Sequence, residues 1–363
     1  MDLYAERLAR RLPALADGCE IQWASVRPSR WIDRYLRLPY LSRALNDRFY
    51  SRYVVYPRAA KKFHADINHV LDHSYGHLLR ALDAQRTIIT VHDLYPFQVI
   101  NRRARTPRAQ ARTWLLGWVM AHALRARWLI VISEFTRQEV LRLTDYPASR
   151  ISVVHMGVDE MFFQPVSQEA RQRFRRELEV PEPAPLLLHV GSCDERKNIP
   201  LLLRSFRALL DGAGSRVYLL QIGGQFTEDQ SRLIRQLGLA SRLRQCSHVS
   251  VSDLMCAYQT ARVVLLPSTY EGFGLTALEA MASGTPVVAS DIGALREVVG
   301  EAGWLVAPDD PASLAEAVMS SLDDIKLREQ LVEKGRARAT AFSWSETARK
   351  TLAVYHRVYS ELA

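Results

Sequence analysis

Two glutamates eight residues apart, Glu271 and Glu279, bracket the turn Gly272-Phe273-Gly274 and mark the stretch of this chain with the clearest chemical content. A short apolar run, 263–266, precedes Pro267, and helix-like spacing follows Gly274 as far as Gly284, before Pro286 and a second apolar run at 287–289. The glycines therefore stand at a strand-to-helix junction. Backbone N–H groups without intrahelical partners and the positive end of the helix dipole favour an anion there, and glycine lets it approach closely. The carboxylates serve another purpose, because they only accept hydrogen bonds and so suit the hydroxyls of a sugar or ribose. Glu271 and Glu279, with Phe273, Gly274 and Leu275 at the turn, read as a holder for a sugar attached to a nucleotide diphosphate. The alternative is that both glutamates are solvated charges at a helix start, as in many α/β proteins.

A second anion site follows the apolar run 186–190, where Gly191-Ser192 leads into Cys193-Asp194-Glu195-Arg196-Lys197-Asn198 and a helix from about Pro200. Arg196, a planar fork, and Lys197, a point charge, offer the two kinds of cation that a diphosphate needs at its bridging and terminal oxygens. Solvated loop charges are the competing reading. His92 and Asp93 close the strand 87–91, where the imidazole would orient a reacting sugar or acceptor, or else be structural beside a capping Asp. Ser133, after 128–132, is either an acceptor-side hydroxyl or a helix N-cap. His69, His73 and His77 have the i, i+4 spacing of a helical metal face. A strand reading for 67–71 and a turn at Tyr75-Gly76 separate the three rings, so no metal is assigned. No Asp-x-Asp pair is present to clamp a metal-bound diphosphate, and the expected chemistry needs no metal and no other cofactor.

The elements that must position these residues alternate as strands and helices. Apolar runs at 186–190, 217–222, 263–266, 287–289 and 303–306 give the rhythm of a parallel sheet, and 67–71, 87–91 and 128–132 repeat it less clearly. Residues 151–159 read as a strand entering a glycine turn and place a hinge there. The expected domains are 1–157, 158–342 and a helix over 343–363 that crosses back to the first domain. That helix begins with Ser343-Trp344-Ser345-Glu346, a capping-box pattern, and carries Tyr355, Val358, Tyr359 and Leu362 along one face. Leu8, Leu12 and Leu15 have helical spacing from Tyr4 onward, with no strand before them, whereas a doubly wound domain normally opens on a strand and a glycine-rich turn.

Length and charge narrow the class. With 363 residues and 48% hydrophobic content, two cores are expected. No apolar run reaches about 18 residues and no leader pattern is present, so the expected location is the cytoplasm. Cys19, Cys193, Cys246 and Cys256 lack paired short spacing and read as reduced thiols. Residues 1–160 hold 25 Lys and Arg against 15 Asp and Glu, while 161–363 hold 23 against 24. The net charge of +9 thus belongs to the first half. An acidic partner follows, and nucleic acid is the weakest choice because no reading motif accompanies the charge. Arg102, Arg103, Arg105, Arg108 and Arg112 precede Trp114, Leu115, Leu116 and Trp118, an arrangement suited to the inner face of an anionic membrane, or else a helix with a core Trp face and solvated arginines.

Taken in order, His92-Asp93, Ser133-Glu134-Phe135, Gly157-Val158-Asp159, Gly191 with Arg196-Lys197-Asn198, Glu271 to Glu279, Gly303-Trp304-Leu305-Val306 with Asp309-Asp310, and Phe342-Ser343-Trp344 resemble the retaining glycosyltransferases of family 4. The match runs from about Thr87 to Tyr355, and the Glu-x7-Glu element is its specific part. The resemblance implies the GT-B fold, two Rossmann-like domains with parallel sheets facing across a cleft. It implies Glu271 at donor-sugar hydroxyls with backbone N–H groups of Phe273 and Gly274 nearby, Glu279 at the ribose, Arg196 and Lys197 at the leaving diphosphate, and His92 near the reacting carbon. It departs at Ser192, where many members carry Arg, and before Tyr4, where the family's opening strand and glycine-rich loop are missing. The Arg196-Lys197-Asn198 wording is similar to bacterial mannosyl- and rhamnosyltransferases of cell-surface polysaccharide assembly. The implied reaction is retaining transfer of a hexose, mannose from GDP-mannose first, to a saccharide or lipid-linked saccharide. A catalytically silent GT-B scaffold that binds a sugar nucleotide or partner protein is the alternative, with an epimerase or a pyridoxal-dependent phosphorylase on the same fold as further rivals.

Overall fold

The Val-, Ile- and Leu-rich runs form strands in two separate parallel sheets, in the α/β class that the sequence predicts. The computed structural model describes residues 2–16, 20–24, 49–62, 65–97, 107–213 and 217–362. Two compact units result, one of residues 1–155 with 344–363 and one of residues 156–343.

In the first unit, β1 (Asn68–Val70), β2 (Thr87–Val91), β3 (Trp128–Val131) and β4 (Ile151–Val153) lie side by side in that order, all parallel. Strand periodicity of two sends Ile89, Val91, Leu129 and Val131 to one face, where Met120 and Ala123 of helix Pro107–Ala123 cover them. Ile88, Trp128 and Ile130 go to the other face and meet Val354 and Val358 of helix Trp344–Ser360. Each such aliphatic side chain contributes about 1.5–3 kcal/mol by leaving water. The C-terminal helix thus completes this unit's core. Val354 takes the buried place that the sequence reading gave to Tyr359, which is exposed, since i and i+4 align at 354 and 358. Helix Asp2–Leu15 packs on the same C-terminal helix through Tyr4, Leu8 and Leu12, while Leu15 is exposed.

The three histidines are dispersed. His69 Nδ1 lies 2.6 Å from Tyr355 Oη and its Nε2 2.7 Å from Thr90 Oγ1. His73 sits beside Asp72, and His77 Nε2 donates to Arg52 O at 2.8 Å. Residues 73–80 form two short 3-10 segments that meet at a kink at Tyr75, where the sequence places its turn.

In the second unit, β5 (Leu186–Gly191), β6 (Tyr218–Gly223), β7 (Leu243–Cys246), β8 (Val263–Leu266), β9 (Val287–Ser290) and β10 (Trp304–Val306) form one parallel sheet in the order β10-β9-β8-β5-β6-β7. β7 was not expected from the sequence. Leu-Arg-Gln-Cys has no apolar alternation, and as an edge strand it is held by backbone pairing to β6. The core on one face joins Leu187, Leu219, Val263, Leu265 and Val288 to Leu202, Phe206 and Leu209 of helix Ile199–Ala213 and to Leu314 and Val318 of helix Pro311–Asp323. Cys193 and Cys256 are buried free thiols and Cys246 is a partly buried one; Cys19 lies outside the described residues. No described helix is long and apolar enough to cross a membrane.

Candidate active site

The second sheet grows in one direction from β5 through β6 to β7 and in the other from β8 through β9 to β10. β5 and β8 are adjacent and parallel, with Leu187 opposite Val263 and Leu188 opposite Val264. Their carboxyl ends therefore meet at the switch point, where open α/β sheets bind ligands. The two loops singled out from the sequence leave these two strands.

The first loop is drawn tight after β5. Gly191 ends the strand, and a Cβ there would stand 3.2 Å from Lys197 Cε and 3.5 Å from His189 Cε1, so the missing side chain is what gives the lysine its place. A 3-10 turn, Glu195–Lys197, follows, and Asn198 closes it in the left-handed region at φ 51°. Asn198 Nδ2 donates to Pro308 O at 3.0 Å, and Thr269 N–H donates to Arg196 O at 2.8 Å. The turn is thereby tied to the loop after β10 and to the loop after β8.

The second loop delivers Glu271. Lys197 Nζ donates to Glu271 Oε1 at 2.5 Å, Ser268 Oγ donates to the same oxygen at 2.8 Å, and Arg196 Nη1 donates to Oε2 at 3.0 Å. Side-chain exposure falls from 26% at Arg196 to 11% at Glu271 and 9% at Lys197. Two cations share one carboxylate in a largely dry setting, which leaves one surplus positive charge. Asp194 and Glu195 of the same loop are exposed, so they act on the cations through a higher dielectric than the buried Glu271 does. Three of the roughly four lone-pair sites of Glu271 are taken, so the carboxylate organises the cations first and has about one site left for a hydroxyl.

His189, directly under this cluster, is fully buried and neither ring nitrogen has a hydrogen-bond partner. Burial first, and the Lys197 charge second, lower its pKa to about 3, so the ring is neutral and adds no repulsion to the two cations. Ser192, at the loop entrance, donates through Oγ to Asp194 Oδ2 at 2.8 Å.

Gly274 is the N-cap of helix Leu275–Ala282 at φ 123°, a value that L side chains rarely adopt. Leu275 is the first helical residue, and Phe273 is buried with its ring edge-on to Phe342, 5.9 Å between centroids. Glu279 lies one helical turn further on, half-buried, and accepts from Tyr258 Oη at 2.7 Å. Desolvation raises its pKa to about 7; the Tyr258 hydrogen bond opposes the shift and the Asp159 charge adds to it. Glu271 and Glu279 do not touch each other's partners. One is a node for cations, and the other is an acceptor backed by a phenol.

In the first unit, His92 follows β2, and its Nε2 is 2.8 Å from Leu71 O. A carbonyl only accepts, so Nε2 carries the proton and Nδ1 holds the lone pair of the neutral ring. Burial lowers the His92 pKa, and the Tyr4 ring packs edge-on against it at 5.1 Å. Asp93 accepts from Tyr95 N–H at 3.1 Å. Ser133 is fully buried and caps helix Glu134–Leu143, accepting from Thr136 N–H at 3.0 Å.

Sequence reasoning thus located Gly191, Arg196, Lys197, Glu271, Phe273 and Gly274 at and beyond the ends of neighbouring strands, with Glu279 on the helix that follows, and it missed Ser268, Tyr258 and His189. Ser268 carried a usable signal, a hydroxyl three residues before Glu271 in the same loop. Tyr258 and His189 lie inside a helix and a strand and look like core. Among the described residues, no group of three or more His, Cys, Asp or Glu side chains is placed to hold a metal ion.

Comparison with known proteins agrees with this architecture. Residues 170–338 match the family described as Glycosyl transferases group 1, and residues 1–161 match Glycosyltransferase Family 4. The chain is 33% identical over 290 residues to a D-inositol 3-phosphate glycosyltransferase of Corynebacterium glutamicum, an alignment covering 77% of this chain and 69% of that protein. It is 32% identical over 239 residues to O-antigen chain mannosyltransferase B of Escherichia coli, covering 63% of this chain and 60% of the relative's length. Among solved structures, sucrose-phosphate synthase from Thermosynechococcus elongatus superposes with a TM-score of 0.70 at 26% identity, over 90% of this chain and 82% of that one. Anabaena Alr3699/HepE, solved in complex with UDP, shares the fold at a TM-score of 0.67 and 19% identity, over 83% and 80% of the two chains. With two parallel-sheet units, the Glu-x7-Glu turn at a switch point and these matches, the chain belongs to glycosyltransferase family 4 and has its GT-B fold.

Proposed function

We propose that this chain transfers a hexose from a nucleotide diphosphate sugar to an acceptor hydroxyl with retention of configuration. One observation carries the reading: Arg196 and Lys197 converge on Glu271 at the β5/β8 switch point with one positive charge to spare, eight residues before the acceptor Glu279. As the glycosidic bond lengthens, negative charge grows on the diphosphate. Fixed cations in a dry site stabilise that charge at little reorganisation cost. The site supplies its own cations, so the proposed chemistry is metal-independent. Glu271 holds the cations and offers its remaining lone pair to a sugar hydroxyl; in the first unit, the Nδ1 lone pair of His92 is left to accept from a hydroxyl. No side-chain nucleophile is assigned, because the leaving phosphate can take the acceptor proton.

The preferred donor is GDP-mannose, supported by the Arg196-Lys197-Asn198 loop and by the name of the Escherichia coli relative. A panel of UDP-, GDP- and ADP-hexoses, read as donor hydrolysis without acceptor, tests both levels. Fastest release from GDP-mannose is expected. Turnover of another donor replaces the base or sugar, and no turnover of any donor favours the silent scaffold.

For the acceptor we propose a saccharide, free or lipid-linked, in cell-surface polysaccharide synthesis, with peripheral contact at an anionic membrane. Arg102, Arg103 and Arg105 lie outside the described residues, as do the side chains of Arg108 and Arg112. Support comes from the basic first half and from Trp114, which is 69% exposed and stacks on Trp118 at 6.5 Å. Flotation with anionic vesicles should show binding that weakens with salt and with Trp114→Ala. Binding that is absent at low salt would remove the membrane contact.

A further inference from the structure

Glu279 is not held like an ordinary helix carboxylate. Its partner, Tyr258, is fully buried in helix Val251–Thr260, twenty-one residues earlier in the chain, and reaches it through a single 2.7 Å hydrogen bond to Oε2. The phenol is itself oriented. Its ring meets Phe162 edge-on at 5.7 Å. Burial, with the nearby Glu279 charge, keeps the Tyr258 hydroxyl protonated far above neutrality, so it can only donate toward the carboxylate.

A buried phenol whose one proton is committed to one carboxylate oxygen does two things. It fixes the carboxylate plane, and it favours the ionised form of a group that desolvation and Asp159 push the other way. In the ionised form both oxygens are acceptors, whereas the protonated form commits one of them to donating. We propose that Tyr258 is a positioning residue for Glu279: by fixing Oε2 it presents the rest of the carboxylate to the paired hydroxyls of a nucleoside ribose. This rests on the nucleotide-sugar reading above and adds to it the group that makes the ribose contact directional. Tyr258 does not touch the ligand. Its effect reaches only that part of the ligand which Glu279 holds.

The test compares two nucleoside diphosphates with the same base, one with ribose and one with 2′,3′-dideoxyribose, titrated calorimetrically into the full chain and into Tyr258→Phe. Wild type should bind the ribose form more tightly. Tyr258→Phe should weaken the ribose form roughly tenfold or more, as expected for a lost hydrogen bond to a charged group, and leave the dideoxy form unchanged. Phe162→Leu removes the edge-on ring contact that orients the phenol instead. It should lower affinity for the ribose form in the same direction by less, and it serves if the phenylalanine variant does not fold. Equal losses for both ligands, or none in either variant, would overturn the role of Tyr258 while leaving the nucleotide site intact. Wild type that binds ribose and dideoxy forms equally, or binds neither, would remove the ribose assignment of Glu279 and this inference with it.

Discussion

Lys197→Ala lowers transfer from the true donor about 10²- to 10³-fold, the loss typical when one preorganised donor to a developing oxyanion is removed. Lys197 is the best-placed cation in the site because it is fixed on both sides. Its stem occupies the space left by the missing side chain of Gly191, and its ammonium is held by Glu271 at 2.5 Å. A diphosphate entering the β5/β8 crevice would therefore meet a charge whose position is already determined, and little reorganisation would accompany the reaction. Arg196 is more exposed and its bond to Glu271 is longer, 3.0 Å against 2.5 Å, so Arg196→Ala should cost less than Lys197→Ala under the same steady-state assay. Unchanged turnover in Lys197→Ala would move the diphosphate elsewhere.

Glu271→Ala is expected to lose stability as well as activity. Removing one partner of a buried ion pair leaves the other uncompensated and typically costs about 3–5 kcal/mol. Here the stranded group is Lys197, buried and without Glu271 as acceptor. Chemical denaturation should place the loss in the transition of residues 156–343, the unit that contains the whole cluster. Glu271→Gln keeps an acceptor oxygen for Ser268 and should fold better while remaining impaired in turnover. A glutamate that only touched sugar hydroxyls, as the sequence suggests, would lose activity in both variants and stability in neither. An unshifted denaturation midpoint for Glu271→Ala would return Glu271 to that simpler role.

The parts of this site that were legible in the sequence are those carried by local pattern. Strands β5, β6, β8 and β9 of the second sheet are largely aliphatic runs buried on both faces, and the glycine turn and its glutamates lie within nine residues. Arg196 and Lys197 stood out because they follow a strand end. Their pairing with Glu271 did not, because the lysine and glutamate are 74 residues apart and meet only when β5 pairs with β8. The sequence assigned those cations to the phosphate and Glu271 to the sugar, and the fold adds the contact between them. Tyr258 escaped for a related reason. A tyrosine in an apolar helix segment reads as core, and it is core; its function lies in one atom at the end of the ring. β7 and the 3-10 segments on either side of Tyr75 went unseen because neighbouring strands and helices, rather than propensity, hold them.

Lys197, Arg196 and Glu279 are proposed to bind one nucleoside diphosphate at the switch point of the second sheet. A crystal structure of the chain with the nucleoside diphosphate of its preferred donor would locate that ligand. Phosphate oxygens are expected within hydrogen-bonding distance of Lys197 Nζ and Arg196, and the ribose hydroxyls on Glu279 with Tyr258 still bound to its far oxygen. A nucleotide seated away from β5 and β8, with Lys197 and Arg196 making no phosphate contact, would contradict that proposal.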